Sequence, residues 1–308
     1  MSGSSVAGGT AEVQSALWGV RPREWCAMEA QIEPVYTAVL DRLAVRHGTE
    51  LLDLGCGAGL AARLAALRGA IVSGVDATPE LLEIAAERVP NGDFVRGDLE
   101  TLPYDDDASD AIVGFNSFQY AATPRRALEE ARRVARPGAP VVIMTWATPE
   151  RCPAAVYLAA LGSLMAPPPP GTPGPFALSA PGALEALATE AGLQPGDVAE
   201  VPCPWTFPDL DSALRAMLAA GPAIKVIQTA GAAAVRTAVA ASIERFRQPS
   251  GEYIIGSAFS SLNSSGTPRS SACASWSASA STSGRPSCRT RRSSVRCAPS
   301  FRSSTSRS

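Results

Sequence analysis

Residues 50–59 read Glu-Leu-Leu-Asp-Leu-Gly-Cys-Gly-Ala-Gly, an apolar run that leads into three glycines at alternate positions. A short apolar run of this kind, bounded by glycine, is typical of a buried parallel strand. Glycine permits turns with positive φ and lets a ligand approach the main chain closely. The loop between such a strand and the next helix is where α/β proteins bind nucleotides. We therefore predict a site for an adenosine-bearing cofactor at Gly55, Gly57 and Gly59.

The spacing of these glycines separates the loop from two other nucleotide-binding loops. The dinucleotide fingerprint is G-x-G-x-x-G, whereas this chain has G-x-G-x-G, with Leu60 where that fingerprint has its last glycine. A phosphate-binding P-loop needs Gly-Lys followed by Ser or Thr, and the only lysine of the chain is Lys225, far downstream. A P-loop is therefore excluded, and an NAD-dependent oxidoreductase is a disfavoured alternative.

Further strands with polar ends follow the glycine loop. Residues 70–76 form a second apolar run that ends at Asp76, 21 residues after Gly55, where a carboxylate can accept hydrogen bonds from both hydroxyls of a ribose. Residues 93–99 form a third short strand, and the carboxylate of Asp98 at its end could accept a hydrogen bond from an adenine amino group. The next predicted elements are a strand over 109–116, a helix over 124–135 that Pro137-Gly138 ends, and a strand over 139–146.

Five short motifs occur in a characteristic order. They are Leu-Asp-Leu-Gly-Cys-Gly-Ala-Gly at 52–59, Gly-Val-Asp at 74–76, Gly-Asp-Leu at 97–99, Asp-Ala-Ile-Val at 110–113 and Arg-Pro-Gly at 136–138. In this order they resemble the class I S-adenosylmethionine-dependent methyltransferases, and most closely the small-molecule branch similar to the ubiquinone and menaquinone biosynthesis enzymes. Ala139 departs mildly from the Pro-Gly-Gly that is usual there. The resemblance covers residues 15–259.

The resemblance implies an architecture and an activity. The fold would be a doubly wound, Rossmann-like α/β domain with a seven-stranded, mostly parallel sheet whose last strand is antiparallel. A helical cap would precede the sheet, and a helical lid insertion would lie between the sixth strand and the last strand. The cofactor would be S-adenosyl-L-methionine, and a nucleophilic atom of a small-molecule acceptor would take the methyl group by in-line displacement. A non-catalytic or degenerate relative that only binds the cofactor is the alternative.

The resemblance also assigns roles to individual residues. The glycines would approach the amino-acid end and the ribose of the cofactor, and Asp53 would reach its ammonium group directly or through water. Asp76 would hold the ribose, Asp98 and the backbone of Leu99 would contact the adenine, and Asn116 with Ser117 would lie below the sulfonium. A local turn or cap role also fits Asp53, Asp76, Asp98 and Asn116. The predicted cofactor-binding residues are Asp53, Gly55, Cys56, Gly57, Gly59, Asp76, Ala77, Asp98, Leu99 and Asn116.

The outer segments are predicted with less detail. We expect a flexible leader over 1–14, a cap over 15–47 with one helix at 28–44, a cofactor-binding core over 48–146, and substrate-side segments over 147–259. Trp18, Trp25 and Tyr36 of the cap either cover the site or pack the core. The same two readings apply to the lid candidates Trp205, Phe207 and Met217. The second half is predicted to hold a stiff linker at 167–175, helices at 181–191, 210–220 and 232–247, a sixth strand at 198–202 and the last strand at 251–259.

The composition changes abruptly after Phe259. Of the 49 residues from 260 to 308, 19 are Ser and eight are Arg, with no Lys and no acidic residue. Such a stretch lacks hydrophobic periodicity and cannot offset its ordering entropy, so we predict disorder. It is either a natural basic tail or, as we favour, an out-of-frame translation of G+C-rich DNA. Resequencing the gene would decide this, because an intact frame through residue 308 contradicts the frame error.

Charge and composition exclude other classes of function. Residues 1–259 hold 19 basic and 29 acidic residues, a net charge of −10, which argues against nucleic acid as a partner. The chain has no C-x-x-C pair, so no zinc or other metal site is expected. Without an apolar run of about 18 residues or a signal-peptide pattern we expect a cytoplasmic protein with seven free thiols and no membrane contact.

No catalytic base is evident from the sequence. His47 is the only histidine, and it precedes the first strand, at the sheet end opposite the predicted cofactor. Glu29 or Tyr36 in the cap could serve, but the spacing selects neither. The catalytic residue, the acceptor and the oligomeric state are therefore not predicted.

Overall fold

The computed structural model describes residues 10–167 and 175–266. The first nine residues of the predicted leader, residues 168–174 of the proline-rich linker and residues 267–308 lie outside the described residues. The disorder predicted for residues 267–308 therefore also lies outside the described residues. Within the two described ranges, no helix combines the length and the apolar character that a membrane span needs.

Within residues 10–167 and 175–266, nine strands form two sheets. Their bounds are β1 Glu50–Leu54, β2 Ile71–Asp76, β3 Asp93–Arg96, β4 Ala111–Phe115, β5 Pro140–Trp146, β6 Leu193–Pro202, β7 Trp205–Phe207, β8 Tyr253–Ile255 and β9 Ala258–Gly266. The main sheet has seven strands in the order β3-β2-β1-β4-β5-β9-β6. The first five strands of that order are parallel to one another, and β9 is antiparallel to both of its neighbours. The predicted doubly wound sheet with an antiparallel last strand is confirmed.

The central strand β1 shows why an apolar run occupies this place. It pairs with β2 on one side and β4 on the other, so it is an internal strand of the sheet. Helices cover both faces of a parallel sheet, so both faces of this strand must be apolar. Leu52 and Leu54 enter the core on one face, whereas Leu51 enters the core on the other. The chain order reverses between β1 and β4, and the crevice at such a switch point is the usual ligand site of open α/β sheets.

Eleven α-helices are present in the described residues. Their bounds are α1 Ala11–Trp18, α2 Pro22–Glu29, α3 Glu33–Arg42, α4 Leu60–Ala66, α5 Pro79–Arg88, α6 Pro124–Val134, α7 Ala155–Gly162, α8 Ala183–Glu190, α9 Leu210–Met217, α10 Gly221–Ala230 and α11 Ala232–Ile243. Helices α1 to α3 form the cap before the sheet. Helices α7 and α8 lie between β5 and β6, and α7 was not predicted. Helices α9 to α11 lie between β6 and the last strands, where the lid insertion was predicted.

The cap differs from its predicted form in two ways. The single helix predicted over 28–44 is wrong: α2 ends at Glu29, a 3₁₀ turn covers Ala30–Ile32, and α3 starts at Glu33. Pro34 explains the break, because it lacks a backbone N–H and fits only the first turn of a helix. The prediction of a flexible leader over 1–14 is also wrong for residues 11–14, because α1 begins at Ala11.

The last strand is displaced from its predicted position. Residues 253–255 form β8, which pairs with β7 in a separate two-stranded sheet, and the strand inserted between β5 and β6 is β9 at 258–266. The disorder predicted from residue 260 onwards is therefore wrong for 260–266. The serine-rich sequence forms a strand here because its hydroxyls find backbone partners: the Ser264 hydroxyl donates to the Val141 carbonyl at 2.7 Å.

The insertion holds one helix that was not predicted. Two helices were expected, at 210–220 and 232–247, but α10 lies between them. Gly221-Pro222 begins this helix, and a proline with its fixed φ suits a first helical turn. Gly221 also lies against the cap, since a Cβ atom there would come within 2.7 Å of the Trp18 ring.

Candidate functional site

A cleft lies at the carboxyl ends of β1, β2 and β4 and beneath the cap. It has an empty volume of about 970 Å³, part of which is open to solvent. Nine of the ten predicted cofactor-binding residues line it, and Gly59 does not. The structure therefore brings the predicted residues together at the switch point of the sheet. The nine are Asp53, Gly55, Cys56, Gly57, Asp76, Ala77, Asp98, Leu99 and Asn116.

The three loop glycines have positive φ but different surroundings. Their φ angles are 72° at Gly55, 54° at Gly57 and 77° at Gly59. A Cβ atom on Gly55 would lie 2.4 Å from the Cβ of Ser117, and one on Gly59 would lie 2.7 Å from the Cβ of Ala85. At Gly57 the nearest atoms would be 3.9 Å away, so a side chain there would enter the cleft. Gly55 and Gly59 are required by packing, whereas Gly57 leaves main chain open to a ligand.

This difference predicts unequal stability losses for two alanine variants. Gly57→Ala is expected to lower the free energy of unfolding by about 1–2 kcal/mol, the cost of a left-handed L-residue. Gly59→Ala is expected to cost roughly 3 kcal/mol, because overpacking against Ala85 adds to that conformational cost. Urea denaturation of both variants measures the difference. Equal losses would contradict the packing role of Gly59.

Asp53 is a buried carboxylate without a partner. Its residue is only 1% exposed, and neither carboxylate oxygen has a hydrogen-bond partner in the structure. Burial raises its pKa from 3.8 to about 8, and the negative charges of Glu29 and Asp76 add to the shift. An unpaired buried polar group is costly, so a cationic or hydrogen-bond-donating ligand in the cleft would supply what the protein does not.

Asp76 supports the loop and lines the cleft at the same time. One of its carboxylate oxygens accepts the N–H of Gly57 and the other accepts the N–H of Thr78, each at 2.9 Å. Burial raises its pKa, and these backbone donors oppose that shift. The predicted local turn role of Asp76 is therefore present. Each oxygen has a second lone pair, which leaves the carboxylate able to accept from a ligand as well.

Asp98 and Asn116, which were predicted on the adenine and sulfonium sides of the site, also form hydrogen bonds within their own loops. Asp98 accepts the N–H of Glu100 at 2.9 Å, which is a turn contact within its loop. Asn116 has a φ of 56°, and its side-chain oxygen accepts from the side-chain amide of Gln119. The hydroxyl of Ser117 is buried in the cleft wall without a partner. Ser117 and Asp53 are thus two unsatisfied polar groups that line one cleft.

The cap forms the other wall of the cleft. Trp18 and Trp25 line it with their rings in edge-to-face contact at 4.7 Å, and Trp18 also meets Tyr120 at 5.8 Å. Tyr36 lies against the Phe115 ring at 4.5 Å. All three cap aromatics that the sequence suggested therefore line the cleft. Several further lining residues were not predicted from the sequence, and Thr10, Gln14 and Tyr120 are among them.

The large side chains that were lid candidates lie elsewhere. Trp205, Phe207 and Met217 are each at most 3% exposed, belong to the main hydrophobic core and do not line the cleft. Core packing, the second of the two readings offered for them, is correct. Among the described residues, the wall opposite the sheet is built from the N-terminal helices.

The structure disfavours each residue that the sequence offered as a catalytic base. His47 is exposed and lies before β1, away from the cleft, as expected. Glu29 lines the cleft, but Arg88 and the N–H of Leu60 occupy its two oxygens. Burial, followed by the charges of Glu29 and Asp53, raises the pKa of Tyr36 well above its ordinary value, so an ionised Tyr36 is disfavoured. Within the described residues, no group of three potential metal ligands is present.

Known proteins share similarity with the central part of the chain. A family model described as "Methyltransferase domain" matches residues 52–143, the stretch that carries β1, the glycine loop, β2 and β4. The chain is similar to this methyltransferase domain over residues 52–143. The matched stretch contains the glycine loop, and nine of the ten predicted cofactor-binding residues line the cleft beside it.

Curated relatives share this part of the chain. The demethylmenaquinone methyltransferase of Clavibacter sepedonicus is 35% identical over 105 residues, which are 33% of this chain and 43% of that protein. The 27-O-demethylrifamycin SV methyltransferase of Amycolatopsis mediterranei is 31% identical over 141 residues, which are 42% of this chain and 52% of the relative. The aligned part thus spans about half, or less, of the length of these relatives.

A solved structure agrees in fold. The YcgJ protein of Bacillus subtilis superimposes with a TM-score of 0.50 and 21% identity, covering 75% of this chain and 97% of that protein. At this identity the likeness concerns the fold, and it extends well beyond residues 52–143 to the outer strands and helices.

Proposed function

We propose that this protein transfers a methyl group from S-adenosyl-L-methionine to a small-molecule acceptor. The observation that carries the proposal is the unpaired carboxylate of Asp53 in a cleft whose main chain is open at Gly57. The cofactor has an ammonium group, which fits a buried carboxylate lacking a partner. The methyltransferase domain match and the methyltransferase names of the relatives support the same activity.

The residues of the cleft divide the binding task. The oxygens of Asp53 would accept from the ammonium group, and the second lone pairs of Asp76 would accept from the ribose hydroxyls. Asp98 and the backbone of Leu99 would hold the adenine, while Asn116 and Ser117 would lie near the sulfonium. When bound, the cofactor supplies an electrophilic methyl group, whose bond to sulfur breaks as the acceptor's lone pair forms the new bond. We assign no catalytic base.

The protein contributes orientation and exclusion of water. A neutral thioether is a good leaving group, so the main requirements are attack distance and a dry site. Trp18 and Trp25 close the cleft from the cap, and the cleft has no charged group from the helical insertion among its lining residues. A base is needed only for acceptors of high pKa.

We also infer the class of acceptor and the compartment. The acidic charge of residues 1–259 disfavours nucleic acid, and the relatives are named for small acceptors such as demethylmenaquinone. Among the described residues, Cys26, Cys56, Cys152 and Cys203 are all free thiols, which suits the reducing cytoplasm. A small-molecule acceptor in the cytoplasm is the reading that these observations support.

Calorimetric titration of the purified full-length chain with S-adenosylhomocysteine tests the cofactor assignment, with NAD as the comparison. We expect saturable binding of the thioether and none of NAD. The folded variant Gly57→Ala is expected to bind about tenfold more weakly, because its methyl group enters the cleft, a loss of about 1.4 kcal/mol. No binding by a folded wild-type protein would contradict the proposal, and a preference for NAD would replace it with oxidoreductase chemistry.

A further inference from the structure

A buried ion pair connects the cap to the glycine loop. Glu29, the last residue of α2, is 3% exposed. One of its carboxylate oxygens lies 2.5 Å from a terminal nitrogen of Arg88, the last residue of α5. Its other oxygen accepts the N–H of Leu60 at 3.3 Å. Neither residue was among the predicted cofactor-binding residues.

The pair holds both sides of the turn at Gly59. The same nitrogen of Arg88 donates to the carbonyl of Ala58 at 2.8 Å, and Glu29 accepts from the amide of Leu60. Gly59, between these two residues, has a φ of 77°. The carboxylate of Glu29 also faces the open position of the loop, since one oxygen is 3.9 Å from where a Cβ atom of Gly57 would be. The pair therefore contacts the loop on the side that faces the cleft.

A second ion pair joins the same two helices without touching the loop. Arg23 of α2 and Glu87 of α5 form two hydrogen bonds, at 2.7 and 3.1 Å. Both side chains are more than half exposed, at 71% and 55%. Helices α2 and α5 are thus already linked at the surface, and the buried pair differs from this surface pair mainly in burial and in its contacts with the loop.

Burying an ion pair is a weak means of gaining stability. The two charges lose their hydration, and apolar replacements of similar size are often as stable. One reason to keep a buried ion pair is that it fixes a single conformation, and this hypothesis has to be tested for each protein. Here the fixed structure is the ligand-facing loop together with α2, which carries Trp25 into the cleft wall.

We propose that Glu29 and Arg88 are positioning residues that hold the glycine loop in its ligand-binding conformation and couple it to docking of the cap. The proposal rests on the proposed function, because the ligand in question is the methyl donor. It assigns neither residue a part in the chemical step. Its consequence is that breaking the buried pair weakens ligand binding, whereas breaking the surface pair between the same helices does not.

The test compares variants of the two pairs in the full-length chain. Glu29→Gln keeps the shape of the side chain and removes its charge, and Arg88→Met removes the donor to Ala58. Both are expected to bind S-adenosylhomocysteine about tenfold more weakly or worse by calorimetry, the effect of losing one charge-assisted hydrogen bond. Arg88→Lys keeps the charge and is expected to recover part of that loss. The matched control Arg23→Gln should stay within about twofold of wild type, because exposed pairs contribute little.

Hydrogen exchange of the ligand-free proteins separates positioning from general destabilisation. Glu29→Gln should speed exchange of the amides around Gly57–Leu60, with central strands such as β1 unchanged. Uniformly faster exchange along the chain would mean a structural role only and would overturn the proposal. So would wild-type affinity in folded Glu29→Gln and Arg88→Met proteins.

The same experiments keep this proposal distinct from the proposed function. If the wild-type protein binds no S-adenosylhomocysteine, the cofactor assignment fails and the effect on cofactor binding fails with it. Local acceleration at the loop in Glu29→Gln would then still support the contact between cap and loop. If the wild type binds and the Glu29 and Arg88 variants bind equally well, only the positioning role is wrong.

Discussion

Replacing Asp53 with Asn is expected to weaken binding of S-adenosylhomocysteine about a hundredfold, since losing one partner of a buried charged contact costs about 2–5 kcal/mol. The same change is expected to make the ligand-free protein harder to unfold near neutral pH. Asp53 is buried with both oxygens unpaired, so near neutral pH the ligand-free protein must take up a proton at Asp53 in order to fold, which destabilises the folded state. An amide of nearly the same shape requires no such proton uptake.

The stability difference should depend on pH with a definite sign. The folded-state pKa of Asp53 is raised from 3.8 to about 8, so between these values the folded protein holds a proton that the unfolded chain has lost. Rising pH through this window therefore destabilises the wild type, by up to about 1.4 kcal/mol per pH unit. The stability of Asp53→Asn does not fall with pH for this reason, because the amide does not titrate. Its advantage should be small near pH 4 and grow towards pH 8.

Thermal unfolding at about pH 5 and about pH 8, with calorimetry at neutral pH, measures both effects. Asp98→Asn is the matched control for the pH effect on stability, because Asp98 also lines the cleft but is partly exposed and already accepts the N–H of Glu100. Melting temperatures of Asp53→Asn that follow the wild type at every pH would contradict an unpaired buried carboxylate. Unchanged affinity would remove Asp53 from the ligand site.

The centre of the fold could be predicted because its local signals agree. The strands predicted over 70–76, 109–116 and 139–146 coincide with β2, β4 and β5 to within about two residues. Continuous apolar runs specify strands covered on both faces, and the glycines specify the turn. The clustering of Asp53, Asp76 and Asp98 at one sheet edge follows from parallel strands having their carboxyl ends together.

The cover of the cleft could not be predicted in the same way. Helix α1 has eight residues, which is too short to be stable by its own propensity. It is held by contacts distant in sequence: Trp18 lies against Trp25, Tyr120 and Gly221. The sequence around Thr10 and Gln14 carries no sign of those contacts. The Glu29–Arg88 pair was missed for the same reason, since its partners are 59 residues apart.

The last strand was misplaced because its sequence does not alternate between apolar and polar residues. Beyond Phe259, Leu262 is the only large apolar side chain of β9, and it is fully buried. Ser261 and Ser264 are buried as well and donate to the carbonyls of Ala199 and Val141. The position of the strand is set by β5 and β6 on either side, which is a tertiary effect that overrides the local pattern.

Truncation within β9 is therefore expected to abolish folding. A chain that ends at Phe259 loses six of the seven β9 residues that pair with β5, the partners of Pro140 to Thr145. It also loses most of the pairing with β6 and the buried side chain of Leu262. At roughly 1 kcal/mol per hydrogen bond and about 2–3 kcal/mol for Leu262, the loss is comparable with the whole stability of a domain, about 5–15 kcal/mol.

The matched control is a chain that ends at Gly266, which keeps all of β9 and lacks the same distal residues. We expect it to show a cooperative thermal transition and native circular dichroism, whereas the chain ending at Phe259 should show neither. Cooperative unfolding of the shorter chain would mean that β5 and β6 do not need β9. Failure of the longer chain would mean that residues beyond 266 stabilise the fold. The two truncations thus locate the end of the domain independently of how residues 267–308 arose.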